Sequence, residues 1–306
     1  MAYRLSFADD VPSSVRLCAR EQLADAVERL ERSGEDPVTA VHEARKDLKK
    51  TRALLRLVRP ALGRKAYRRE NDALRDAGLA LSGARDADVR VATARALAEH
   101  AAGRLSAEVF DALREALAGE VEGGPGGDGA GFAPVIEQLR AAELRVETWP
   151  LDDADWETVL AGLMRAYARG RDAFATARSA PDPELLHAWR KRAKDLWYHQ
   201  RLLAPAWPEL LGAQAEAAHA LSELLGDDHD LAVLAERLHD DAPPLAPAVD
   251  AQRPELRALI AHRSEQLRAD AVALGHRAYA ESPKAFARRL ARYVELAAAE
   301  AGDGAG

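Results

Sequence analysis

The chain has 306 residues and a net charge of -7, and it is 48% hydrophobic, 30% charged and only 5% aromatic. It is long enough for one large core or two ordinary ones, and its richness in Ala, Leu, Arg and Glu suits helices rather than strands. The single cysteine, Cys18, excludes an internal disulfide framework and any multi-cysteine zinc site, and the net acidity excludes indiscriminate adhesion to anions.

The opening stretch MAYRLSFADDVPSSVR has no apolar run behind a positive start, and no run of about 18 apolar residues occurs anywhere. A soluble protein of the reducing cytoplasm is expected. Helical periodicity predicts helices over 12–33, 37–59, 63–82, 86–102 and 106–119, with no convincing alternating strand pattern. The Gly-rich segment GEVEGGPGGDGAGFAP, Gly119 to Pro134, reads as a linker, followed by a short helical piece near 135–147. Helices resume over 154–178, 183–203, 208–225, 230–241, 252–274 and 283–300, before a tail, residues 302–306, that reads as disordered. The expected organisation is an all-α chain with a first bundle over 1–120, linker and short helix over 121–150, and a second bundle over 151–301.

Two of the predicted helices repeat each other. VHEARKDLKKTRALLR, Val41 to Arg56, and LHAWRKRAKDLWYHQR, Leu186 to Arg201, match at an offset of 145: His42 with His187, Arg45 with Arg190, Lys46 with Lys191, Lys49 with Lys194, Arg56 with Arg201. Each helix follows an Asp-Pro pair, Asp36-Pro37 and Asp182-Pro183, which supplies an N-cap and a first-turn proline. Each half continues through a further helix to a glycine and an acidic corner, LSGARDADV (Leu81 to Val89) and LLGDDHDLAVL (Leu224 to Leu234). A repeat of at least three helices implies two related bundles.

At about 100° per residue, His42, Arg45, Lys49, Arg52 and Arg56 fall in an arc of about 80°. Ala44, Leu48, Thr51, Leu54, Leu55 and Val58 occupy the opposite, core-facing side. From Val41 to Arg69, eleven basic residues stand against Glu43 and Asp47 alone. In the second copy His187, Arg190, Lys194 and Arg201 form the same stripe, with Trp197 in place of Arg52 and with Lys191 and Tyr198 at its border. A lone basic stripe is ordinarily a solvated face paired with acids; its repetition argues for an anion-binding surface. Arg forks and mobile Lys charges together hold a flexible phosphate chain without demanding one register. Both histidines lie near the positive ends of their helices and could gain a proton with phosphate, so affinity is expected to rise as pH falls.

These helices, with the two glycine-and-acid corners, resemble the signature of the CHAD family, the conserved histidine alpha-helical domain, over nearly the whole chain. The resemblance implies two four-helix bundles related by pseudo-twofold symmetry, a basic central pore or groove, and binding of inorganic polyphosphate without catalysis, with association to polyphosphate granules open to the protein. The pore-lining residues would be His42, Arg45, Lys46, Lys49, Arg52 and Arg56, with His187, Arg190, Lys191, Lys194 and Arg201. Arg16, Arg20, Arg165 and Arg169 resemble flanking basic positions. Trp197 interrupts the charge ladder.

Two other functions fit parts of the sequence. Asp227, Asp228, His229 and Asp230 suggest a metal-dependent phosphohydrolase, but Asp230 matches Asp86 in a corner after a glycine, so the acids are expected to cap the next helix or to brace the basic stripe. A nucleic-acid binder would want exposed aromatics among the bases, and the first stripe has none. His199, His219, His239, His262 and His276 share no spacing and are expected at the surface or partly buried; Trp189, Trp197 and Trp207 are expected in packing. No P-loop occurs, nor a run resembling the triphosphatase domain often fused to this family. No cofactor or metal is expected, and no membrane or nucleic-acid partner.

Overall fold

The computed structural model describes residues 3–34, 36–81, 86–101, 103–122 and 129–303. It is all-helical, with no strand among the described residues and twelve α-helices. The helices are α1 (Val11–Glu31), α2 (Pro37–Leu57), α3 (Arg59–Ala80), α4 (Asp86–His100), α5 (Ala107–Glu122), α6 (Ala133–Val146), α7 (Trp156–Ser179), α8 (Pro183–Leu203), α9 (Pro208–Arg237), α10 (Pro247–Asp250), α11 (Arg253–Ala278) and α12 (Pro283–Asp303). None among the described residues is long and apolar enough to cross a membrane.

Local chemistry sets most of the boundaries. Asp10, Asp36, Asp155 and Asp182 each accept a backbone N–H in the first turn of α1, α2, α7 and α8, at 2.8, 3.0, 2.8 and 2.8 Å; such a cap stabilises a helix by about 1 kcal/mol. Inside α3, Gly63 at φ 68° interrupts the helical backbone, a conformation that side chains with a Cβ rarely adopt.

Two apolar cores organise the packing. The larger joins α1, α2, α3, α6, α7, α8, the first half of α9 and α12. The smaller joins α4 and α5 to the second half of α9, α10 and the first part of α11. The short helix expected near 135–147 is α6, which packs on α1 and α3 and buries Val135, Leu139, Ala142 and Val146. The α4–α5 hairpin, expected in the first bundle, lies instead against α9 and α11. At the chain's end α12 runs through Asp303, so Gly302 and Asp303 are helical; 304–306 lie outside the described residues, as do 123–128 of the Gly-rich segment.

The expected break between 225 and 230 does not occur, because α9 is one helix of 30 residues. Gly226 is not a stop. A Cβ there would lie 2.8 Å from Nη2 of Arg190, so glycine lets the α8 guanidinium approach the α9 backbone. The acids that follow are mid-helix and cap nothing. Asp228, 3% exposed, instead accepts a hydrogen bond from Arg268 Nε of α11 at 2.9 Å. The corresponding corner of the first half, 82–85, lies outside the described residues, as does the side chain of Asp86.

Candidate functional site

The apolar face expected of α2 is the face it buries: Ala44, Leu48, Thr51, Leu54, Leu55 and Val58 are all inaccessible or nearly so. On α8 the buried set includes Leu186, Trp189, Ala193, Leu196, Tyr198 and Leu202. Burial on both helices leaves the basic stripes on the remaining arc.

The two helices touch at matching points. His199 Nε2 donates to the carbonyl of Ala53 at 2.9 Å, and at the 145-residue offset His199 corresponds to Leu54, the residue beside Ala53. His199 is fully buried rather than at the surface. Burial lowers its pKa, so it serves as a neutral donor in the α2–α8 contact. Close by, α7 crosses the end of α2, where a Cβ on Gly162 would lie 1.7 Å from the Leu57 carbonyl oxygen.

Charges surround this crossing. Asp195 of α8 is buried and ion-paired both to Arg56 Nη1 of α2 at 3.0 Å and to Arg192 Nη1 at 2.9 Å. Arg52 Nε donates to Asn71 Oδ1 of α3 at 3.2 Å. Burial and the neighbouring Arg56 lower the pKa of Arg52, and partial loss of hydration against neighbouring helices, with Arg192 nearby, does the same to Arg169 of α7 although its side chain keeps solvent contact. Arg59 stacks over Tyr67 at 4.8 Å, and its charge also reaches Arg169. Four arginines of α2, α7 and α8, namely Arg52, Arg56, Arg169 and Arg192, thus act on Asp195, with Arg59 of α3 acting in turn on Arg169, and their mutual repulsion makes a field that a polyanion would relieve.

The other expected site residues distribute along both helices. His42 is partly exposed with Nε2 3.9 Å from Glu43, and Lys46 Nζ contacts the same carboxylate at 2.9 Å. Arg45 Nη1 donates to the Gly78 carbonyl of α3 at 2.9 Å, and Lys49 is half-buried. On α8, Lys191 is exposed and Lys194 Nζ lies 3.8 Å from Glu223 of α9. His187 stacks on His229 at 4.6 Å. Burial, with Lys191, His229 and Arg190 alongside, pushes its pKa down to about 4, so without ligand it is neutral at pH 7. Trp197, where α2 has Arg52, stands edge-on to His219 of α9 at 4.0 Å. Arg201 lies farther along α8, over the rings of Tyr3 and Trp197.

The flanking arginines separate into two groups. Arg165 and Arg169 are exposed on α7, and Arg169 joins the cluster at Asp195. Arg16 and Arg20 turn instead to the α6–α7 connection, where Arg16 bonds the Trp149 carbonyl and Asp152 at 2.9 and 2.7 Å and Arg20 pairs with Glu147 at 2.7 Å. Sequence reasoning missed Arg59, Arg192 and Asn71, which sit off the repeated stripe. A hint was present: Asp47 and Lys50 of α2 align with Arg192 and Asp195 of α8, and each pair forms an ion pair three residues apart, with the signs exchanged. No group of three or more His, Cys, Asp or Glu side chains that could hold a metal ion occurs among the described residues.

A family model described as the CHAD domain matches residues 17–239, well over half of the chain. None of the curated proteins and none of the solved structures matches it.

Proposed function

The chain belongs to the CHAD domain family, and from that premise we propose that it binds inorganic polyphosphate without catalysis, in a basic groove where α2 and α8 meet. The observation that carries this reading is the gathering of Arg52, Arg56, Arg169 and Arg192 around the buried Asp195 at the crossing of the repeated helices, with Arg59 close to Arg169. A pseudo-twofold relation between the halves is part of the proposal. Its support is that contact occurs near Ala53 and His199, equivalent places in the repeat.

Along each helix, the remaining basic residues extend the path for a linear anion in steps of one turn, about 5.4 Å. At the head of α8, His187 Nδ1 and Arg190 Nε are buried with no hydrogen-bond partner among the described residues. Buried polar atoms left so are what a bound oxyanion, or a water preceding it, would satisfy. Many phosphates neutralised together release many bound cations, so affinity should fall steeply with salt. A chain long enough to engage both helices should bind better than a short one.

The test is a titration of the protein with polyphosphate across a salt and chain-length series, with DNA and RNA as competitors. Tight, salt-sensitive binding that strengthens with length and resists nucleic acid supports the proposal. Displacement by either nucleic acid at equal phosphate concentration overturns the specificity, and phosphate release with Mg, Mn or Zn that Asp228→Ala abolishes overturns the non-catalytic reading.

A further inference from the structure

The N-terminal segment walls a cleft beside the helix crossing. Tyr3 donates its hydroxyl to the Lys50 carbonyl of α2 at 2.9 Å, and the Leu5 N–H donates to the Leu202 carbonyl of α8 at 2.9 Å. Residues 3–5 therefore bridge both repeated helices, although they precede the 17–239 stretch that the family model matches. The cleft has a volume of about 450 Å³, and its lining includes Tyr3, Arg4, Lys50, Arg201 and Glu216. That is room for a short phosphate with part of its hydration.

The charge in this cleft follows from the repeat. At the 145-residue offset Arg201 corresponds to Arg56, and Lys50 to Asp195. On one edge of the crossing arginine meets carboxylate at 3.0 Å; on the other, the equivalent positions hold two cations. The Arg201 guanidinium lies 5.6 Å from the Tyr3 ring and 5.5 Å from the Trp197 ring. Stacking fixes its plane without consuming its N–H donors. Among the described residues no carboxylate pairs with Arg201 or Arg4, while Lys50 is steadied by Asp47 at 2.7 Å. Glu216 opposes an anion from the wall of the cleft.

We propose that this cleft is a second anion site, separate from the arginine cluster at Asp195, and that it takes one or two phosphoryl groups. These come either from free pyrophosphate or from the end of a polyphosphate chain; only the second source rests on the polyphosphate reading. Arg201 supplies a planar donor fork, Arg4 a second guanidinium and Lys50 a point charge.

Calorimetry on the full chain tests this, with pyrophosphate and long-chain polyphosphate as separate titrants against wild type, Arg4→Gln, Arg201→Gln and Glu216→Gln. Arg4 is exposed, so its variant keeps the fold even if loss of the Arg201 stacking does not. Pyrophosphate affinity that falls about tenfold in each arginine variant and rises severalfold in Glu216→Gln identifies the free anion as occupant. Loss in Arg4→Gln confined to polyphosphate, and scaling with the number of chain ends, identifies the chain end. Pyrophosphate binding through Arg4 and Arg201 in a protein that ignores polyphosphate would uphold the cleft and remove the proposed function. Binding of both titrants unchanged by Arg4→Gln and Arg201→Gln overturns the cleft and leaves the function standing.

Discussion

The helices α2 and α8 carry one sequence pattern and two different surroundings. Both start from an Asp-Pro cap, both bury an apolar face, and both hold a buried carboxylate with a base three residues away. In α2 the carboxylate is Asp47, whose second partner, Arg29, comes from the neighbouring α1; in α8 it is Asp195, whose second partner comes from α2 across the repeat. Exchanging the sign within one aligned pair thus decides on which side of the crossing an arginine meets a carboxylate of the other helix, and on which side the equivalent positions, Lys50 and Arg201, are both cationic. A duplicated helix can keep its stripe while the residues facing it across the contact diverge: Arg56 and Arg201 keep the repeat, and their opposite numbers, Asp195 and Lys50, do not.

The sharpest break of this comparison lies at the helix ends. The Leu57 carbonyl of α2 faces Gly162, whereas the equivalent Leu202 carbonyl of α8 accepts the Leu5 N–H. Gly162→Ala would set a Cβ 1.7 Å from a backbone oxygen, and neither α2 nor α7 can yield as a side chain can. A loss of about 3 kcal/mol or more is expected in denaturant unfolding. Gly226→Ala meets only the movable end of Arg190 and should cost far less. Equal losses would refute the distinction between a backbone clash and a side-chain one.

Next come the two carboxylates. Asp195→Asn leaves Arg56 and Arg192, 17% and 24% exposed, facing one another without compensation, and should destabilise by roughly 2–3 kcal/mol. Asp47→Asn releases Lys50, 16% exposed but on a flexible stem at the edge of an open cleft, and Arg29, 40% exposed; both can turn to water, and the change should cost about 1–2 kcal/mol. Chemical denaturation of both variants reads the difference directly; an equal or reversed order would mean that the α2–α8 ion pair does not hold the crossing.

The charge stripes are tested by binding. Lys49→Glu and Lys194→Glu should each weaken polyphosphate binding about tenfold, with helicity by circular dichroism unchanged, and the double variant should lose about a hundredfold if both stripes touch one chain. A double variant no weaker than its worse parent would place the two helices on separate ligands, and unchanged affinity in the double variant would remove them from the site.

What was legible in the sequence divides along the same line between local and tertiary causes. Asp36, Asp182 and the prolines after them announce the starts of α2 and α8, and the 3.6-residue spacing of Leu48, Leu54 and Leu55 announces a buried face. Gly226 misled because glycine after a leucine-rich turn reads as a stop; its actual reason, the approach of Arg190, depends on a helix 36 residues away in the chain. Arg192 meets Asp195 one turn along α8, off the stripe, whereas Arg56 reaches it only because α2 crosses α8, and Arg59 comes near Arg169 only through the packing of α3 and α7. The short helix α6 is legible beside its Gly-rich neighbour, because Val135, Leu139, Ala142 and Val146 form a spacing of four, three and four; its partners, α1 and α3, are set by tertiary packing that the spacing does not name.

The smallest expected effect concerns the histidine that opens each stripe. His187 has its folded pKa pushed from 6.5 down to about 4 by burial, by Lys191 and Arg190, and by the stacked His229. Below pH 6.5 the unfolded chain takes up a proton that the folded one resists. The stability tied to neutral His187 is therefore complete above about pH 6.5 and is lost as pH falls towards 4. His187→Gln removes that dependence, so the stability of wild type relative to the variant should decline between pH 7 and pH 4 in parallel denaturation series. A bound phosphate works in the opposite direction, because an anion beside the ring favours its charged form. Proton uptake on polyphosphate binding, measured by calorimetry in buffers of different ionisation enthalpy near pH 5, should accordingly shrink in His187→Gln. Undiminished uptake would separate this histidine from the anion and leave it only its packing on His229.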